Sequence, residues 1–153
     1  PGGIARWQVL AFYDLAMLIL LAGLAFAIAP AALAATTKYQ ATLTSGAEVP
    51  PTHADGKGEA TVSLDTGTHE ITYDVTFSGL TDVTAAHIHG PAEAGKNAGV
   101  VVPFGTNPKS PIHGTAKLTP EQQQQLESGM MYVNVHTKEN PAGAIRGQLT
   151  KAK

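Results

Sequence analysis

Cysteine is absent from this 153-residue chain, which excludes disulfides, thiolate metal sites and cysteine nucleophiles. An oxidising compartment stays open, because a domain of roughly 115 residues buries a sufficient core without covalent staples. Basic tracts are also missing. Ten Lys and Arg stand against twelve Asp and Glu, for a net charge of -2, so nucleic acid is not an expected partner. The chain has no glycine-rich phosphate loop, no serine-nucleophile motif and no paired-carboxylate cluster. Acid–base and nucleophilic catalysis therefore have no support, and the expectation is a protein that is not an enzyme.

Charge is missing altogether from Leu15 to Ala35. As a helix this run measures about 30 Å, the thickness of a bilayer core. Arg6, the apolar run and the small residues Ala32-Leu33-Ala34-Ala35 also fit a secretory signal with a cleavage site. The chain opens on Pro1 rather than Met, as expected when an initiator methionine is trimmed and nothing else removed. On that ground an uncleaved anchor over residues 1–36 is the expectation, followed by an exported domain over 37–153. Trp7 and Phe12 suit an interfacial aromatic cluster, and Arg6 places the N-terminus in the cytoplasm. Gly23 suits close helix packing. Asp14 lies at the edge of the run, either solvated at the headgroups or bonded to a partner helix. The expected surroundings are lipid and other membrane-protein subunits.

From Lys38 onward the hydrophobic period becomes two. Tyr39, Ala41 and Leu43, then Ala60, Val62 and Leu64, then Ile71, Tyr73, Val75 and Phe77 alternate with polar residues, predicting half-buried antiparallel strands. Further strands are predicted at 83–89, 100–104, 114–118, 131–137 and 144–150. Turn chemistry separates them at Pro50-Pro51, Asp55-Gly56, Asp65-Thr66-Gly67 and Ser78-Gly79. One helix interrupts them. Thr119, Pro120 and Gln122 make a capping box, Gly129 is a fitting stop, and Leu126 and Met130 can seal the helix onto the sheet. The pattern predicts a mainly β fold, a sandwich or barrel, behind a single N-terminal transmembrane helix.

His87-Ile88-His89 carries the chemistry. Residues two apart on a strand share a face, so both imidazoles project together while Ile88 enters the core. His136, in Tyr132-Val133-Asn134-Val135-His136, is placed to supply a third. Three convergent imidazoles suit copper or zinc. Equally, the same rings can hydrogen-bond backbone and each other to fix the long loop from Gly90 to Gly99. His113 is a possible fourth ligand. His53 and His69 fall in or beside turns, where exposure is expected. Arg146 alternates with core residues and is expected to pair internally with Glu48 or Glu59, or to meet a partner.

Several runs together resemble the CHRD domain: Glu48-Val49-Pro50-Pro51, Ala86-His87-Ile88-His89-Gly90-Pro91, Leu118-Thr119-Pro120-Glu121, Tyr132 to Thr137, and Gly143 to Leu149. The resemblance covers roughly 38–149. It implies an immunoglobulin-like or Greek-key β-sandwich, found in bacterial exported proteins and in chordin-type extracellular proteins, with no established enzymatic activity. The His-x-His strand, the later Val-x-His strand and an Arg near the C-terminus are also similar to copper-zinc superoxide dismutase. That likeness implies copper on His87, His89 and His136, with Arg146 near the open position. The dismutase's cysteine pair and zinc loop are lacking, and likeness of fold alone does not carry activity.

The expected role is a non-catalytic accessory subunit of a bacterial inner-membrane assembly, respiratory or photosynthetic, with a periplasmic domain. The alternatives are a periplasmic copper-binding or redox domain and a cleaved, secreted binding module.

Overall fold

The computed structural model describes residues 34–153. Trp7, Phe12, Asp14, Gly23 and the expected membrane span lie outside the described residues. Among the described residues, no helix is long and apolar enough to cross a membrane.

Among the described residues, nine strands and one α-helix follow in order, with a short 3-10 turn at Ser45–Ala47 after the first strand: β1 (Thr36–Thr44), β2 (Lys57–Asp65), β3 (Glu70–Ser78), β4 (Val83–His89), β5 (Val100–Thr106), β6 (Ile112–Lys117), α1 (Pro120–Glu127), β7 (Tyr132–Thr137), β8 (Ile145–Gln148) and β9 (Thr150–Lys151). Period-two alternation makes the early strands. In β1, Tyr39, Ala41 and Leu43 are buried between exposed neighbours; β2 and β3 repeat the pattern. The β2–β3 turn closes because Asp65 Oδ1 accepts from the backbone N–H groups of Gly67 and Thr68, the local bonding that makes Asp a turn residue. α1 starts at the expected capping box: Thr119 accepts from the Gln122 N–H, and the Gln122 side chain accepts from the Thr119 N–H. Gly129 ends the helix at φ 71°, a left-handed conformation that glycine adopts without a Cβ clash.

All neighbouring strands are antiparallel, in the order β5-β4-β7-β8-β1-β2-β3-β6, with β9 beside β1. The expected mainly β antiparallel fold with one short helix is thus what is found. It is one continuous sheet curled nearly into a barrel. β1 joins its halves, pairing with β2 along one side and with β8 and β9 along the other. The two ends of the sheet approach each other: Tyr73 on β3, next to the end strand β6, stacks on Phe104 of the end strand β5 with ring centroids 4.4 Å apart.

Leu43, Val62, Leu64, Val75, Ile88, Val133, Val135, Ile145 and Leu149 fill the interior, and Leu126 of α1 joins them with Met131. Each such side chain contributes about 1.5–3 kcal/mol by leaving water. β7 is buried along almost its whole length on both faces. Its inward face meets this core; its outward face meets a second, polar layer.

Candidate metal centre

That polar layer lies on the outer face of β4, β7 and β8. Ala86 and Ile88 of β4 and Val133 and Val135 of β7 belong to the core, so alternation turns His87, His89, Tyr132, Asn134 and His136 the other way. The β4–β7 register sets Ala85 against His136, His87 against Asn134 and His89 against Tyr132. Directly opposed Cβ atoms on an antiparallel pair sit about 4.5–5.5 Å apart. The register therefore gathers all three histidines expected from the sequence.

Their ligand-capable atoms lie within 4.8 Å of one another. His87 Nδ1 hydrogen-bonds His136 Nε2 at 3.0 Å. Two imidazole nitrogens on one tetrahedral zinc stand about 3.3 Å apart, given Zn–N bonds of ~2.0–2.1 Å. The remaining nitrogens are disposed as ligands need them. His89 Nδ1 is 3.0 Å from the Ala98 carbonyl, and His136 Nδ1 is 3.0 Å from the Pro141 carbonyl. A carbonyl only accepts, so both Nδ1 atoms carry the proton and both Nε2 atoms keep a lone pair. Outer N–H bonds of this kind fix the tautomer of metal-ligating histidines. His89 Nε2 is buried and has no hydrogen-bond partner.

Burial pushes the His87 pKa down to about 4, with the neighbouring His136 and His89 adding to the shift. Burial also lowers His89 and His136. All three rings are therefore neutral near pH 7, the form that binds metal without competition from protons.

The Gly90–Gly99 loop covers this layer, and Arg146 of β8 holds it there. Arg146 is only 1% exposed. Its guanidinium donates to Asn97 Oδ1 at 3.0 Å and to the carbonyls of Lys96 at 2.7 Å and Glu93 at 3.5 Å. Its Cζ sits 3.4 Å above the Tyr132 ring centroid. Tyr132 in turn lies parallel to the His89 imidazole, with centroids 4.9 Å apart, and its hydroxyl accepts from the Ala98 N–H. Five donors in a planar fork suit one guanidinium to several carbonyls at once. Gln148 adds bonds to the Ala92 and Gly129 carbonyls. The loop-fixing role foreseen for the histidines is thus also realised, through His89 and Ala98.

Four sequence expectations change here. Arg146 does not stand at an open position; it is enclosed by the loop it binds. Nor is it in a close ion pair: the one such contact among the described residues is His113 with Asp74, at 2.6 Å. The Arg146 charge acts on Glu48 at longer range. His113 does not join the cluster. It is exposed on β6, at the far end of the sheet order, and its partner is Asp74 across the β3–β6 ladder. His53 is exposed as expected, whereas His69 is half-buried against Gln123 of α1.

Sequence reasoning named Glu48 as one possible ion partner of Arg146 but did not place it in this layer. Glu48 is 5% exposed, and its carboxyl faces Gly143, where a Cβ would clash with Glu48 Oε1 and φ is 138°. Glycine is required there for close approach as well as conformation. Burial raises the Glu48 pKa to about 7, against the lowering effects of Arg146, Asn134 and the Val49 backbone. Beyond that possible pairing, the one signal was Glu48-Val49-Pro50-Pro51, read as part of a resemblance.

Residues 39–149 match the family model described as the CHRD domain. Among curated proteins, chordin of Danio rerio is 32% identical over 113 residues, covering 65% of this chain and 12% of chordin. The chain thus spans only 12% of the length of that relative. No solved structure matches.

Proposed function

The chain belongs to the CHRD domain family, and from that premise we propose that its β domain is a metal-binding module that holds one copper or zinc ion on His87, His89 and His136. The observation carrying this reading is the convergence of three neutral imidazoles, two of them with their outer N–H groups fixed on backbone carbonyls. Copper or zinc is the chemistry such nitrogen donors favour. The module is a carrier or sensor and not an enzyme. The enclosed Arg146 supports this, since its donors are engaged by the loop and are not free to draw in an anion. We read the curled sheet as a variant of the immunoglobulin-like Greek key, in which β4 and β7 are neighbours despite the strands and helix between them in sequence.

The test is metal stoichiometry of the full chain after exposure to Cu(II) or Zn(II) and removal of free ion. One ion per chain is expected, and none in the His87→Ala/His89→Ala variant. Equal uptake by both proteins would refute the assignment.

A second reading concerns location and is compatible with the first. The charge-free run from Leu15 to Ala35 supports a single-pass anchor in a bacterial inner membrane, N-terminus cytoplasmic and metal domain periplasmic. There it would serve as an accessory subunit of a respiratory or photosynthetic assembly. The intact chain should then co-purify with other subunits in mild detergent. A free monomer would contradict that reading. A mature chain lacking the first 34 or 35 residues by mass would favour the secreted module instead.

A further inference from the structure

Five buried side-chain atoms among the described residues have no hydrogen-bond partner: Glu48 Oε1, His89 Nε2, Gln125 Oε1, Asn134 Oδ1 and Gln148 Oε1. Buried polar atoms are nearly always partnered, so each exception asks for a cause. Three of the five form one row. Asn134 stands directly across from His87 in the β4–β7 ladder, two residues from His136 on the same face, with His89 on the diagonal. Its amide lies against both the His89 ring and the Glu48 carboxyl. At 3% exposure it is out of reach of bulk water.

The row has an inherent polarity. In its ionised form Glu48 accepts and does not donate, so it takes the amide N–H side of Asn134 and leaves Oδ1 for the histidine side. His89 Nδ1 is committed to the Ala98 carbonyl, so Nε2 meets that oxygen as a second acceptor. Two buried acceptors beside each other, with no proton between them, are relieved by a cation. His136 Nε2 lies at the same place, and His87 Nδ1, which donates to it in the absence of an ion, adds a lone pair in its other tautomer.

We propose that Asn134 is the fourth ligand of this centre, binding the ion through Oδ1, with Glu48 orienting the amide from behind. The inference rests on the three-histidine reading and adds a residue and a selectivity to it. An amide oxygen is a hard donor, so a three-nitrogen, one-oxygen set favours Zn(II) or Cu(II) over Cu(I). Outer partners such as Glu48 typically change metal affinity by about 10–100-fold when removed.

Cobalt(II) binding to the full chain, followed by its visible d–d spectrum, tests this, because band position and intensity report the number and type of ligands. The wild type should take up one cobalt per chain with a four-coordinate spectrum. Asn134→Ala should still bind through the histidines, about 10–100-fold more weakly and with a changed spectrum. Asn134→Asp, which keeps an oxygen at the same reach, should bind at least as tightly as the wild type and give a shifted four-coordinate spectrum. It serves as the deciding variant if the alanine protein does not fold by circular dichroism. Wild-type affinity and an unchanged spectrum in Asn134→Ala, or in Asn134→Asp where that variant decides, would overturn the fourth ligand while leaving the histidine site standing. No uptake by the wild type would overturn both.

Discussion

The two faces of β4, β7 and β8 are built from the same strands and differ in nearly everything else. Inward, Ala86, Ile88, Val133, Val135 and Ile145 join one apolar core. Outward, His87, His89, Tyr132, Asn134, His136 and Arg146 form a layer that is mostly buried yet polar. The inner face needs only shape and apolarity, and any residues of suitable volume satisfy it. The outer face needs each donor matched to an acceptor. It achieves this for Arg146 and for the two Nδ1 atoms, and leaves Glu48, Asn134 and His89 with orphaned atoms. What the difference teaches is that the outer face is not decoration on a stable barrel. A solvated face would be exposed, and a purely structural one would be fully partnered.

The comparison breaks most visibly at Arg146. If the outer layer is structural on the scale of the core, Arg146→Ala should destabilise about as much as Leu43→Ala. Both should cost about 3 kcal/mol, one through unpaired loop carbonyls and the other through a cavity. Denaturant unfolding measures both. A cost below about 0.5 kcal/mol for Arg146→Ala would mean that the loop is a loose cover.

Metal sharpens the contrast next, because it acts on one face only. With free Zn(II) at about 100 times its dissociation constant, the wild type should gain about 2.7 kcal/mol, a rise in Tm on the order of 10 °C. Leu43→Ala, wounded inside, should show the same gain from its lower baseline. His87→Ala/His89→Ala should show none. Equal shifts in all three would place the metal elsewhere.

The pH dependence separates groups within the outer face. His87 titrates near pH 4 in the fold against 6.5 for an unperturbed histidine. Between those values the unfolded chain binds the extra proton, so stability falls as pH drops from 6.5 towards 4. Glu48 has the opposite sign. Raised from 4.5 to about 7, it favours the fold fully below pH 4.5, and that contribution is lost as pH rises through 7. The two oppose each other between pH 4.5 and 6.5. Glu48→Gln removes one of them, so this variant should lose Tm more steeply than the wild type when acidified across that window. Parallel profiles would show that Glu48 does not titrate there.

The smallest effect belongs to the exposed His113–Asp74 pair on the β3–β6 edge. His113→Ala should change stability by less than about 0.5 kcal/mol and leave metal uptake untouched.

The inner face was legible in the sequence because alternation reports it directly. Ile71, Tyr73 and Val75, or Ala60, Val62 and Leu64, need no knowledge of their neighbours. The capping box of α1 was legible for the same reason, being local. His87 and His89 were also readable as a pair. That His136 joins them depends on the β4–β7 register, which strand order decides and alternation does not. His113, read as a possible fourth ligand, is kept from the cluster by the strand it rides. Arg146 was placed on the correct face, but alternation does not tell whether a loop covers that face. Here the Gly90–Gly99 loop does, turning an expected ion pair into a loop clamp. The burial of Glu48 and the neighbours of Asn134 were hidden because both arise from contacts between segments distant in sequence.

X-ray absorption at the metal edge of the full chain, loaded with one equivalent of Zn(II), tests the central claim most directly. The account predicts a first shell of nitrogen and oxygen at ~2.0–2.1 Å with the outer scattering of three imidazole rings. In His87→Ala/His89→Ala that imidazole signature should be lost. A wild-type shell with fewer than two imidazoles, or one unchanged by the double substitution, would contradict it.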